Sequence, residues 1–244
     1  MFLALVVLTP IAAQAQSTRS YPVPKRIEPG AAEETTLTFI LGKIYPIGFS
    51  DDGKFAFVTE FEGPSMAPEL SEFVVIIQDL VTDEIVWRWS SMSGETFDEE
   101  TLRRVWRENQ ETISTEMARY KINGDRPVTF VQGNHAKLAG REYTFELIPQ
   151  INGKEFSRPD GSGSFTENII FYTEVSVISP QLGWKTIYSG TPSQDTISVE
   201  VVGSILSPFE SRAAVVLASA YYGYQLEIRY DYVIIGAHLT VNFR

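Results

Sequence analysis

The chain has 244 residues, a formal net charge of −11, 43% hydrophobic and 12% aromatic side chains, and no cysteine. This composition excludes disulfides and cysteine acylation, and it carries too much apolar content for disorder over most of the length. The acidic balance disfavours nucleic acid and anionic lipid as partners, since both need Lys and Arg against phosphate.

Residues 1–15, MFLALVVLTPIAAQA, have the form of a secretory leader. Phe2, Leu3, Leu5, Val6, Val7 and Leu8 make an apolar run, Pro10 follows, and Ala13-Gln14-Ala15 supplies the small-residue exit, so cleavage is expected before Gln16. No basic residue precedes Arg19, which departs from the usual leader. The run falls short of the roughly 20 residues that span a bilayer. The expectation is an exported protein, periplasmic or extracellular, with no integral membrane span after cleavage.

Residues 16–36 carry Pro22, Pro24 and Pro29 among mixed charges, which predicts an extended, poorly packed lead-in; 37–244 read as a single β-rich domain. Within it, runs of β-branched and aromatic residues between Gly, Pro and Asp predict strands over 37–45, 54–61, 73–79, 85–89, 128–132, 142–149, 169–178, 185–188, 198–205, 213–220 and 225–235. One long helix is predicted over 97–120, opened by a Thr96/Glu99 capping box with Asp98, Glu99 and Glu100 at the positive end of its dipole. Leu102, Trp106, Ile113, Met117 and Tyr120 form an apolar stripe that must lie on a sheet, while Arg103, Arg104, Arg107, Glu108 and Glu111 face solvent. The fold class is therefore α+β, mainly antiparallel β: a sheet, sandwich-like or partial-propeller domain with one long amphipathic helix packed on a sheet.

The two ends of the domain read alike. Residues 47–54 lead into a strand from Phe55, and 205–212 lead into one from Ala213; each unit is strand, Ser-led turn, strand, loop, strand. Asp51, Asp52 and Gly53 suit the first turn and Pro208 the second, and the units are expected to lie close in space. The phrase GFSDDGKFAFV resembles the strand-turn-strand of β-propeller blades of the TolB and WD-repeat kind. A propeller needs at least about four blades of roughly 40–45 residues, more than these two copies supply. The order of motifs is also similar to an uncharacterised bacterial family of predicted secreted proteins. The shared features are a leader, a GFS-x-DG-[KR]-x-AF phrase at 48–57, a strand at 75–80, the charged helix, an SP-x-x-x-R-x-AV phrase at 207–216 and a final aromatic strand at 224–235. Ser211 stands where that pattern has a turn glycine, and 125–195 has no counterpart. The resemblance implies an exported domain of unassigned activity and carries over no catalytic residue.

His135 and His238 are the two histidines of the chain. Without a G-x-S-x-G elbow they suggest no Ser–His–acid triad, and without a His or Cys cluster no zinc site. Carboxylates are plentiful, yet no spacing singles out a pair for glycoside hydrolysis. Asp160-Gly161-Ser162-Gly163-Ser164, with Glu167 and Asn168, is oxygen-rich but lacks the D-x-[DN]-x-[DN]-G spacing of a calcium loop, so a hairpin or surface loop is expected. Trp87 and Trp89 share one side of a strand. Tyr221, Tyr222, Tyr224, Tyr230 and Tyr232 cluster near the end, with Tyr224, Leu226, Ile228, Tyr230 and Tyr232 on one strand face. Core packing is the first expectation for these aromatics; if exposed, they suit sugar, peptide or protein contact. Leu239, Val241 and Phe243 alternate like the last strand of an outer-membrane barrel, but most of the chain lacks lipid-facing alternation.

No catalytic, cofactor-binding or metal-ligating residue is singled out, and no cofactor is expected. The function expected is non-enzymatic binding or envelope interaction, with an envelope protein or a glycan as partner and no nucleic acid. The alternative is a carboxylate-dependent hydrolase acting on an extracytoplasmic substrate.

Overall fold

Apolar and β-branched runs of this density pair as antiparallel strands, and they do so in a computed structural model that describes residues 20–28, 30, 37–61, 71–93, 98–192, 194–223 and 226–244. A 3-10 helix, Thr38–Lys43, leads into β1 (Ile44–Phe49), β2 (Lys54–Phe61), β3 (Ser71–Asp79) and β4 (Ile85–Ser93), an antiparallel meander in the order β1-β2-β3-β4. Two helices follow, α1 (Glu99–Glu108) and α2 (Gln110–Arg119). The second sheet contains β5 (Thr129–Gln132), β6 (His135–Leu138), β7 (Arg141–Ser157), β8 (Ser164–Ser179), β9 (Gly183–Gly190), β10 (Asp195–Leu206), β11 (Arg212–Tyr222) and β12 (Ile228–His238). Its order is β12-β11-β10-β8-β7-β6, with β5 paired to the end of β10 and β9 paired to β8.

Three cores stack these elements into layers. Leu102, Val105, Trp106, Ile113 and Met117 of the helices cover one face of the meander, meeting Val58, Phe73, Val75 and Ile77. The opposite face, with Phe55, Phe57, Val74 and Ile76, packs on Val202, Ala214, Val216, Ala218 and Ile234. The other face of β10, β11 and β12 presents Val201, Val215, Leu217 and Ile235 to Tyr143, Phe145, Val175 and Val177 of β7 and β8. The second sheet is thus folded against itself across a hinge where β8 touches β10 through the single pair Thr196 and Ile170. Strands covered on both sides have no solvent face to mark with polar residues, which explains the unbroken buried runs from Phe73 to Ile77 and from Ala213 to Ala218. The mainly antiparallel α+β class holds, and face-to-face stacking makes it the sandwich version.

The helix differs from expectation. It is two helices of ten residues each, broken at Asn109 (φ −114°, ψ 11°), whose side-chain amide donates to the Val105 carbonyl at 2.8 Å. An Asn that bonds the preceding turn competes with helix continuation. Asp98 caps α1 by accepting from the Thr101 N–H at 2.7 Å; of the expected Thr96/Glu99 capping box, Thr96 lies outside the described residues, as does Phe97. Residues 37–45 are mostly the 3-10 helix rather than a strand, β6 was not expected, and β7 and β8 run to 17 and 16 residues, well past the predicted segments.

Of the lead-in, the described residues 20–28 pack against the domain. Tyr21 and Ile27 are buried, the Tyr21 hydroxyl donates to the Ile122 carbonyl at 2.6 Å, and the Trp106 indole N–H donates to the Tyr21 carbonyl at 3.1 Å. Residues 1–15, read above as a leader, lie outside the described residues.

The two similar end units meet, as expected. Ser50 Oγ accepts from the Lys54 N–H at 2.8 Å in the first turn, and Ser207 Oγ accepts from the Phe209 N–H at 3.3 Å in the second. Arg212 joins them: its guanidinium pairs with Glu210 at 2.8 Å and donates to the Leu80 carbonyl at 3.1 Å, while the Leu80 N–H donates to Gly53.

Candidate functional site

Strand parity separates the residues that the sequence grouped. Tyr232 pairs with Ala218 and Tyr230 with Ala220, so both lie on the face toward the meander. Tyr232 packs into that core and burial pushes its phenol well above the ordinary range, whereas Tyr230 stays exposed. Tyr222 packs edge-on against Phe156 at 5.1 Å, and Tyr224 lies outside the described residues. Trp87 and Trp89 pack against the helix-covered core, with Trp89 edge-on to Phe73 at 5.9 Å. These aromatics are mostly packing, the first of the two expectations.

The histidines occupy separate places. His135 is exposed on β6, 3.0 Å from the Thr144 hydroxyl across the strand pair. His238 ends β12 in a cleft of about 500 Å³ that also holds Lys185, Arg212, Arg244 and Asp83. Burial, then the Arg212 charge, hold the His238 imidazole below its usual range and act on Lys185 in the same way. The groups of this cleft are engaged in fastening the fold. Lys185 donates to the carbonyls of His238 and Val241, the Trp184 and Arg244 backbones pair, and an Asp83 oxygen accepts from the Gly236 N–H at 2.6 Å.

The loop at 160–164 is the tip of the β7–β8 hairpin. Asp160 accepts from the Ser162 N–H at 2.9 Å, and hydrogen bonds from Ser162 hold its carboxyl below the usual range. Among the described residues, no three His, Asp or Glu side chains gather as metal ligands, and no helix is long and apolar enough to cross a membrane.

A crevice of about 210 Å³ opens where the folded second sheet parts, between β9 and the inner faces of β11 and β12. Register builds it. Val199 pairs with Ser219, Thr196 with Tyr221, Ser219 with Asp231 and Leu217 with Val233, so one face of three strands carries all seven side chains into its wall. Thr173 of β8 and Tyr188 of β9 close the opposite side, and Thr191, Pro192 and Gln194 of the β9–β10 link form the rim. Gly190 makes room for the Tyr188 phenol: a Cβ there would come within 2.5 Å of its oxygen.

The polar groups of the crevice are underused. The Thr173 hydroxyl is buried with no hydrogen-bond partner. One Asp231 oxygen accepts from the Tyr232 N–H at 2.7 Å, and partial desolvation by the surrounding strands raises the carboxyl above its usual range although the residue is exposed at the mouth. Burial, then the Asp231 charge, raise the Tyr221 phenol as well. A concave site at a sheet opening, apolar at its base with a few convergent polar groups and a perturbed carboxyl, is the usual form of a small-ligand seat. Among the described residues, Asp231 is the single carboxyl in its wall. Glu146 and Glu200 line a different opening of about 580 Å³, between β7 and β10.

Tyr221 was legible as an aromatic candidate. Thr173, Tyr188, Ser219 and Asp231 were not, because their convergence depends on the fold of the second sheet back on itself. The chain matches no family model, no curated protein and no solved structure.

Proposed function

We propose that this protein is an exported, non-enzymatic binding module whose ligand sits in the crevice between β9 and the β11–β12 pair. The observation that carries the reading is the concave seat itself, whose wall combines Val199 and Leu217, the Tyr188 and Tyr221 rings and one carboxyl, Asp231. One oxygen of that carboxyl accepts from the Tyr232 N–H, leaving the other to accept from a ligand. Support for export is the leader-like pattern of residues 1–15 and the likeness of the motif order to secreted proteins.

The test is thermal unfolding of the protein against a panel of small neutral solutes, beside a Ser219→Phe variant that fills the crevice. A ligand at 100 times its Kd stabilises by about 2.7 kcal/mol, which raises Tm by roughly 5–11 °C for a chain of this size. A shift in the parent and none in the variant supports the seat; equal shifts in both place binding elsewhere. The hydrolase alternative would draw on Glu146 and Glu200, which share one opening. Its test is glycosidic cleavage that Glu146→Gln abolishes.

A further inference from the structure

We propose that the crevice seats one sugar ring, the end unit of an uncharged glycan. The inference rests on the binding-module reading above and names its ligand class. Three observations select that class. The first is size: about 210 Å³ is the room of about seven liquid waters at ~30 Å³ each, comparable with one six-membered ring and its substituents.

The second is charge. Among the described residues of the wall there is no Lys, Arg or His, while Asp231 supplies a carboxyl. A phosphate or carboxylate ligand would enter without a counter-charge and meet a like one. The third is the pattern of polar and apolar groups. Val199, Leu217 and the exposed Val233 give apolar surface and Tyr188 and Tyr221 give aromatic walls, suited to the C–H faces of a sugar. Asp231 then meets a ring hydroxyl. An alcohol group donates as well as accepts, so it can donate to the second Asp231 oxygen. A hydrocarbon of the same size would leave that oxygen without a donor.

The experiment is a titration of the full chain with methyl glucoside, galactose and N-acetylglucosamine, followed by amide chemical shifts. The expected result is that at least one sugar moves the amides of Tyr188, Ser219 and Asp231. Asp231→Leu should weaken that binding at least tenfold, and Ser219→Phe should abolish it, with amide shifts remote from the crevice unchanged in both variants as the control for folding. If phenol or cyclohexanol moves the same amides and no sugar does, the sugar class is wrong and the binding-module reading stands. If none of these probes moves them, both fall.

Discussion

The partial desolvation of Asp231 predicts a small stability cost at neutral pH. Burial raises its carboxyl above the usual range, and the Tyr232 N–H only partly offsets that. The folded state therefore binds the proton more tightly than the unfolded state. Stability falls as pH rises from the ordinary carboxylate range through the folded value, and it stays lower above that. Asp231→Asn should be more stable than the parent at pH 7, with the difference vanishing below about pH 3, where the carboxyl is neutral in both states. Urea denaturation at several pH values measures this, and a difference that ignores pH would show that charge is not its cause. Arg212 is the converse case, a buried cation that fastens the fold through Glu210 and Leu80. Neither role was legible in the sequence. A partly desolvated Asp or a buried Arg reads like any surface charge until its neighbours are known, and Leu80 is 132 positions from Arg212.

At the scale of elements, legibility followed solvent contact. The α1 stripe was readable because one face is wet and the other dry, and Leu102 and Trp106 fall where their spacing puts them. Strands β3 and β11 were readable as long apolar runs, but their two-sided burial hid which residue faced which layer. The distal halves of β7 and β8 escaped because most of their side chains are exposed and carry little apolar signal. Trp106→Ala should cost about 3–5 kcal/mol, since the ring is 1% exposed between helix and meander. A neutral result would detach α1 from the core. The prolines and charges of the lead-in suggested poor packing, whereas Tyr21, Pro24 and Ile27 are buried. Removing the residues before Leu37 should lower stability by at least about 3 kcal/mol, because two buried side chains at roughly 1.5–3 kcal/mol each leave with their hydrogen bonds. Guanidinium denaturation of the truncated chain checks it, and unchanged stability would mean that Tyr21 merely lies over Trp106.

Over the whole molecule, β10, β11 and β12 form the shared wall between two cores, so parity along each strand decides which side a substitution reaches. Gly236 pairs with Ala214, on the face toward the meander, and it lies so near the Leu80 backbone that an added Cβ would come within 1.9 Å of the Leu80 carbonyl oxygen. The neighbouring bonds from Gln78 to the Ile234 carbonyl at 2.7 Å and from the Gly236 N–H to Asp83 tie the layers at the same place. Gly236→Ala should therefore separate the meander from the wall and cost about 3 kcal/mol, the upper end of ordinary overpacking, because backbone must move. Asp231 and Val233 stand at odd positions of the same strand, on the opposite face, where they line the crevice. The variant should accordingly lose stability to denaturant while keeping its ligand affinity within about twofold, under 0.5 kcal/mol, at temperatures where it is folded. A large loss of affinity would mean that the two faces of β12 are coupled, and that the crevice takes its shape from the docking of the meander as well as from the register of its own strands.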